Sequence, residues 1–199
     1  MVSKDVILKL YKDNLMSVQT IADYLNIKRA SLDKAFTYYG IPLRSKQDQS
    51  YLQHGKNFKI KTNMSLQDMH LYGLGIGLYW GEGNKTDPYS VRLGNTDASL
   101  IVLFVKFLKE ICRIHDDDIR FGLQLFNDAD QQKSLAYWMT MLNCTSDSFH
   151  KTISAIPPQG KGTYTRRNMH GVLQVYVSNK KFKEWMMSEV NKYAAIAQG

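Results

Sequence analysis

Gly73, Gly75, Gly77 and Gly81 lie inside one apolar run, LYGLGIGLYWGEGNK at residues 71–85, and three of them recur every fourth residue. A glycine inside a helix costs about 1 kcal/mol relative to alanine, so a helix that keeps so many must gain something from them. At about 1.5 Å rise per residue, Gly73, Gly77 and Gly81 fall on one face at intervals of roughly 6 Å along the axis, leaving a groove of bare backbone. Such a groove is useful where a second helix comes close, because small residues let two backbones touch. Ser65 and Asp68 supply start signals for this helix, and Gly83 an end signal.

Other uses of a glycine-rich segment fail on the letters around it. A membrane-spanning helix needs a longer apolar run, and Glu82, Asn84 and Lys85 end this one. A phosphate-binding loop needs glycine followed directly by lysine after a strand, but Asn84 separates Gly83 from Lys85 and no apolar strand precedes. A dinucleotide fingerprint fails as well: Leu78, Tyr79 and Trp80 follow Gly77 before the next glycine. No nucleotide cofactor is expected. What survives is a helix-to-helix seam closed by a carboxylate, Glu82.

With 199 residues, 44% of them hydrophobic, the chain can bury a core and carry a second small domain. Lysines interrupt the apolar positions at its start, and no window reaches the roughly 18 apolar residues of a bilayer span. A cytoplasmic protein without a membrane partner is expected, with Cys112 and Cys144 as unpaired core thiols. The net charge of +8 is uneven. Residues 1–62 hold eleven Lys and Arg against five Asp, and residues 151–183 hold seven against no acid. Two basic zones point to a polyanion, because lysines and arginines that neutralise phosphates release condensed counterions.

The first basic zone is patterned as short helices. Val6, Ile7, Leu10 and Tyr11 share helical spacing up to Asn14. Ser17 precedes a second helix with Ile21, Ala22 and Leu25 on one face, ended by Asn26. A third helix from about Lys28 to Gly40 carries Leu32, Ala35, Phe36 and Tyr39. The order SVQTIADYLNIKRASLDKAFTYYGIPLRS resembles the helix-turn-helix of resolvases and of small bacterial and phage DNA-binding proteins. That resemblance places the start of the third helix in the major groove and nominates Lys28, Arg29, Ser31 and Lys34 as DNA contacts. Residues 44–65 lose apolar periodicity and read as a basic linker, with Arg44 and Lys46 as further contacts.

Residues 75–83, GIGLYWGEG, resemble the motif of the LAGLIDADG homing endonucleases. Gly77 and Gly81 fall on its small packing positions, Leu78 on its leucine, and Glu82-Gly83 on its closing acid and glycine. Gly75 and Trp80 depart from the motif. The segment VRLGNTDASLIVLFVKFLKEI also resembles the family: a strand, a turn capping a helix at Asp97, then a long amphipathic helix. The resemblance covers about residues 66–196.

Alternation marks strands near 89–95, 118–126, 148–155 and 171–178, with helices at 97–112, 129–143 and 179–195. The expected fold class is α+β: a LAGLIDADG-type domain of helices and antiparallel sheet over 66–199, a helix-turn-helix over 1–43, and the linker between them. The helix DQQKSLAYWMTML has no evident place in the simplest version of that fold.

The resemblance implies a sequence-specific double-strand DNA endonuclease using Mg2+. It implies a homodimer whose two copies pack along Gly73, Gly77 and Gly81 and bring both Glu82 carboxylates beside the scissile phosphates. Glu82 and the Gly81 carbonyl would be the metal ligands. Lys151 and Lys161 are catalytic candidates, by analogy with basic residues lining family sites. Lys85, Arg92, Arg166 and Arg167 are candidate DNA contacts. His150 and His170 have no metal-ligand spacing. The alternative on the same fold is a non-cleaving transcriptional regulator or an RNA-splicing factor.

Overall fold

The computed structural model of the chain describes residues 2–46, 48–49, 58–126, 129–150, 154–156 and 169–196. The chain divides into two compact units, residues 1–55 and 56–199.

The first unit is helical. α1 (Lys4–Leu8) starts on the Ser3 hydroxyl and continues as a wider turn over Lys9–Asp13. α2 (Val18–Tyr24) is capped by Ser17, whose hydroxyl accepts from the Thr20 amide at 3.0 Å. α3 (Arg29–Tyr38) follows after a turn in which Asn26 is left-handed at φ 51°, a conformation asparagine tolerates better than most residues. Ile7, Leu10, Tyr11, Val18, Ile21, Ala22, Leu32, Ala35, Phe36 and Ile41 close a core of their own. The expected helical order and most of its inner positions are present; Val6, expected inside, is 41% exposed.

In the second unit α4 (Leu66–Glu82) is the glycine-bearing helix. Its start is a capping box: the Ser65 hydroxyl accepts from the Asp68 amide while the Asp68 carboxylate accepts from the Ser65 amide. β1 (Val91–Asn95) follows, then α5 (Ala98–Lys106), capped by Asp97 as expected and extended by a wider turn over Phe107–Ile111. β2 (Ile119–Phe126), α6 (Gln131–Leu142), β3 (Ser154–Ile156), β4 (Val172–Val177) and α7 (Lys180–Ile196) complete it. The fold is α+β.

The sheet order is β1-β4-β2-β3, with β4 antiparallel to both β1 and β2. β3 departs from the expected antiparallel sheet, because it pairs with β2 in parallel, Gln124 opposite Ser154 and Phe126 opposite Ile156. A parallel pair needs a crossover connection, and α6, the helix without a place in the expected fold, lies in that connection. β1, β2 and β3 therefore run the same way and β4 alone runs against them.

One face of the sheet is apolar. Val91, Leu93, Ile119, Phe121, Leu123, Leu173, Val175 and Val177 are buried with Ile76 and Tyr79 of α4, Ile101 and Phe104 of α5, Trp138 of α6, and Phe182 and Met186 of α7.

The basic linker expected over 44–65 is taken up at both ends. Arg44 belongs to the first unit: its guanidinium lies 3.9 Å from the Tyr11 ring centre and donates to the carbonyls of Tyr11 and Met16. Phe58 belongs to the second, with its ring 5.1 Å from Phe182 and 5.9 Å from Trp185. Lys61 donates its amide to Ile111 and its ammonium to Asp68. An aromatic side chain and a paired lysine anchor what polar composition alone presents as a tether.

Candidate functional site: the glycine helix, Glu82 and the polar sheet face

α4 has two unlike faces. On the inner face, a Cβ at Gly75 would stand 2.1 Å from Cγ of Phe107, so only glycine permits that approach. On the outer face, a Cβ at Gly73, Gly77 or Gly81 would meet no described atom within 4 Å apart from its chain neighbours and the helix's own backbone. Leu66, Met69, Leu74 and Trp80 flank this glycine row, each between 44% and 65% exposed. Among the described residues, nothing packs on the three glycines spaced by four, whereas the interposed Gly75 is required by the Phe107 ring.

Glu82 is the last residue of α4 and is exposed. The chain then turns to the sheet: Gly83 bridges to Leu93, and the Asn84 amide donates to the Arg92 carbonyl at 2.8 Å. Gly83 does not take the left-handed cap conformation common after helices; its φ is −75°. It is glycine because a Cβ there would stand 2.3 Å from the Tyr79 ring. Beneath this turn lies the Lys183 ammonium of α7, 2.5 Å from both the Tyr79 hydroxyl and the Asn84 carbonyl. Burial, and to a lesser degree Lys85, lower the Lys183 pKa from its ordinary value, while Asp87 opposes them.

The sheet's second face carries the polar half of each strand. Register aligns Arg92 of β1, Tyr176 of β4 and Arg120 of β2 in one row. The next row holds Gly94, Gln174 and Gly122, and Gln124 pairs with Val172 beyond it. Tyr176 lies over Gly122 and donates its hydroxyl to the Gln174 amide oxygen. Arg92 stands 5.2 Å from the Tyr176 ring centre, and His150 packs edge-on to that ring. The Arg120 guanidinium donates to the Phe149 carbonyl. Arg92 is exposed on this face, and Arg120, Gln124, Gln174 and Tyr176 are half-buried.

Arg92 is partly committed, pairing with Asp87 at 2.7 Å and donating to the Ser90 hydroxyl. Burial works against the Asp87 carboxylate, but the Tyr89 amide, Ser90, Arg92 and Lys183 outweigh it and hold its pKa below the ordinary value. Lys85 is exposed beside the same turn.

In the first unit, Lys28, Arg29, Ser31 and Lys34 are all exposed along the first half of α3, with Arg29 held to Asp33 at 3.0 Å. Lys46 is exposed, whereas Arg44 is engaged by Tyr11 as described. Lys151, Lys161, Arg166 and Arg167 lie outside the described residues. Cys112 is buried, with its thiol pKa pushed up by burial, and Cys144 is half-buried. The His170 ring stacks on Tyr137 at 3.8 Å.

Four polar residues of the sheet face, Arg120, Gln124, Gln174 and Tyr176, were not candidates from the sequence. Their signal was present, since each occupies the polar position of an alternating strand. Lys183 was counted with the basic surface and is in fact 3% exposed.

Among the described residues no three His, Cys, Asp or Glu side chains are grouped so that they could hold a metal ion, and no helix is long and apolar enough to cross a membrane. Comparison with protein-family models, with curated proteins and with solved structures found no match to this chain.

Proposed function

We propose that the protein is a sequence-specific DNA endonuclease that acts as a homodimer through α4. One observation carries the reading: the row Gly73, Gly77 and Gly81 faces away from the protein's own core and ends at an exposed carboxylate, Glu82. A helix keeps such a row for another backbone, and a second copy of α4 is its self-complementary occupant, as a two-fold interface requires. Packing the two copies along it draws two Glu82 residues together, which one chain cannot do.

Glu82 and the Gly81 carbonyl are hard oxygen donors of the kind that magnesium prefers. They are too few to enclose an ion, so the remaining ligands must come from the second copy, water and DNA phosphate. The ion would polarise a phosphate and lower the pKa of a bound water. The chain's own part is to present the carboxylate at the end of a rigid helix, one residue from the edge of the sheet.

The polar sheet face supplies groups that suit base edges: arginine pairs bidentately with guanine and glutamine with adenine. The exposed lysines of α3 add phosphate and groove contacts from the helix-turn-helix unit. The reading rests on the α4 face and Glu82, and not on strand direction, where β3 departs from the expected pattern.

The deciding experiment incubates the protein with a randomised-site plasmid library and Mg2+ and sequences the ends produced. Cutting at a defined site, lost in Glu82→Gln while binding to that site persists, is the expected result. Site-specific binding with no cut in any metal tried would replace the endonuclease by a non-cleaving regulator. Binding to RNA in preference to DNA would replace it by a splicing factor.

A further inference from the structure

Lysine is almost never fully buried without a partner, and Lys183 is buried. It lies on α7 between Phe182 and Met186, which fill the apolar core. Its head passes through that core to the one turn from which Glu82 projects. There the polar groups satisfy one another: Lys183 donates to the Tyr79 hydroxyl and to the Asn84 carbonyl, and the Tyr79 hydroxyl donates to the same carbonyl, each at 2.5 Å. The Asn84 carbonyl thereby accepts from two donors, the full capacity of its two lone pairs.

Asn84 is held from its other side too. Its side-chain oxygen accepts from the amides of Thr86 and Asp87, both at 3.0 Å, and its amide is bonded to Arg92. The Gly83 amide donates back to the Tyr79 carbonyl at 2.9 Å, and the Tyr79 ring fills the space a Gly83 side chain would need. Residue 79, one turn before Glu82, and residue 84, two after it, are therefore tied to one ammonium. Glu82 itself makes no part of this cluster and remains exposed.

We propose that Lys183 is a positioning residue for Glu82: from α7 it clamps both sides of the turn that carries the carboxylate and so fixes where that carboxylate stands. This inference rests on the endonuclease reading for its consequence in catalysis, but the clamp can be measured without it. A buried charge is costly to desolvate, and a methionine of similar length would fill the core at that position. The polar head is explained by the turn it holds.

The experiment compares wild type, Lys183→Met and Tyr79→Phe, the second keeping the ring and losing only the hydroxyl. Thermal melting establishes that each variant is folded. DNA affinity is measured in EDTA, the single-turnover cleavage rate at saturating DNA in Mg2+, and amide hydrogen exchange at Gly83 and Asn84 by NMR.

The expected result is wild-type affinity, cleavage slowed by about 100-fold in Lys183→Met, the order of loss that a misplacement near 1 Å brings, and a smaller loss in Tyr79→Phe. Faster exchange should be confined to the turn. Raised magnesium should not restore the Lys183→Met rate, because the defect is one of placement. Variants that fold and cut at the wild-type rate would overturn the proposal. Should wild type cut no DNA, the endonuclease reading fails and exchange decides alone: acceleration at Gly83 and Asn84 sustains the clamp, and unchanged exchange overturns it.

Discussion

Gly75 lies against the Phe107 ring so closely that a Cβ at 75 would be 2.1 Å from Cγ, while a Cβ at Gly77, two residues on, would meet no described atom within 4 Å apart from its chain neighbours and the backbone of its own helix. One helix thus holds two glycine sets with opposite reasons. Gly75→Ala forces a ring and the helix it rides on to move, and overpacking of this kind costs about 1–3 kcal/mol. Gly77→Ala relieves a helix interior of its glycine and should stabilise the monomer by up to about 1 kcal/mol. Urea unfolding at concentrations that keep the protein monomeric checks both signs; destabilisation by both would place a partner atom at Gly77 inside the chain itself.

The same substitution should act in the opposite direction on association. If two copies of α4 meet along Gly73, Gly77 and Gly81, each added Cβ pushes the backbones apart at the point of closest approach. Gly77→Leu should leave the fold intact and reduce dimer formation at least tenfold by analytical ultracentrifugation on DNA carrying the selected site. An unaltered dimer would remove the shared-helix geometry. The exposed Leu74 and Trp80 beside the glycines make the partner-free face apolar, so Trp80 fluorescence should respond to association and not in Gly77→Leu.

Most elements of the second unit were legible because local signals agreed with one another; the exception is the strand expected over 148–155, where Ser146–Ser148 is a tight helical turn and the strand is Ser154–Ile156. Ser65 with Asp68, and Asp97 after β1, mark helix starts through side-chain chemistry that needs no tertiary knowledge, and the period-2 alternation marks β1 and β4. Strand partners were not legible. Nothing within Ser154–Ile156 distinguishes a parallel from an antiparallel neighbour, since the crossover through α6 decides it. The partners of Arg44 and Lys183 were not legible, for one shared reason. A basic letter shows charge, whereas its use depends on a carbonyl or ring distant in sequence: Tyr11 for the first, Tyr79 and Asn84 for the second. Phe58 was lost in a polar segment because one aromatic residue makes no period.

The start of α4 should be sensitive to acid. The Lys61 ammonium, bonded to the Asp68 carboxylate at 2.7 Å, together with the Ser65 amide and hydroxyl, lowers the Asp68 pKa from 3.8 to about 2. A carboxylate whose folded pKa is depressed adds stability above its unfolded pKa, and that stability is lost as pH falls through the folded value. The contribution should be complete above about pH 4–5 and vanish toward pH 2. Comparing the urea midpoints of wild type and Lys61→Met across that range checks it: the gap between them should close as pH drops, and a constant gap would separate Lys61 from the titration.

The two surfaces proposed to face DNA should fail in different ways. Lys28 and Lys34 are exposed ammonium groups at the start and middle of α3, and a lysine that neutralises one phosphate contributes about 0.9 to the slope of log affinity against log salt. Lys34→Ala should therefore weaken binding to all sequences by similar factors and flatten that slope by about one. Gln174 stands at the centre of the polar sheet face, between Gly94 and Gly122, half-buried and accepting from Tyr176. Gln174→Ala should leave the salt slope unchanged and relax preference at one or two base pairs, by about 1–3 kcal/mol for a lost bidentate contact. Binding selection with randomised sites on both variants separates the outcomes. A uniform loss in Gln174→Ala, with every base preference intact, would mean that the sheet face touches phosphate and that specificity is read elsewhere on the chain.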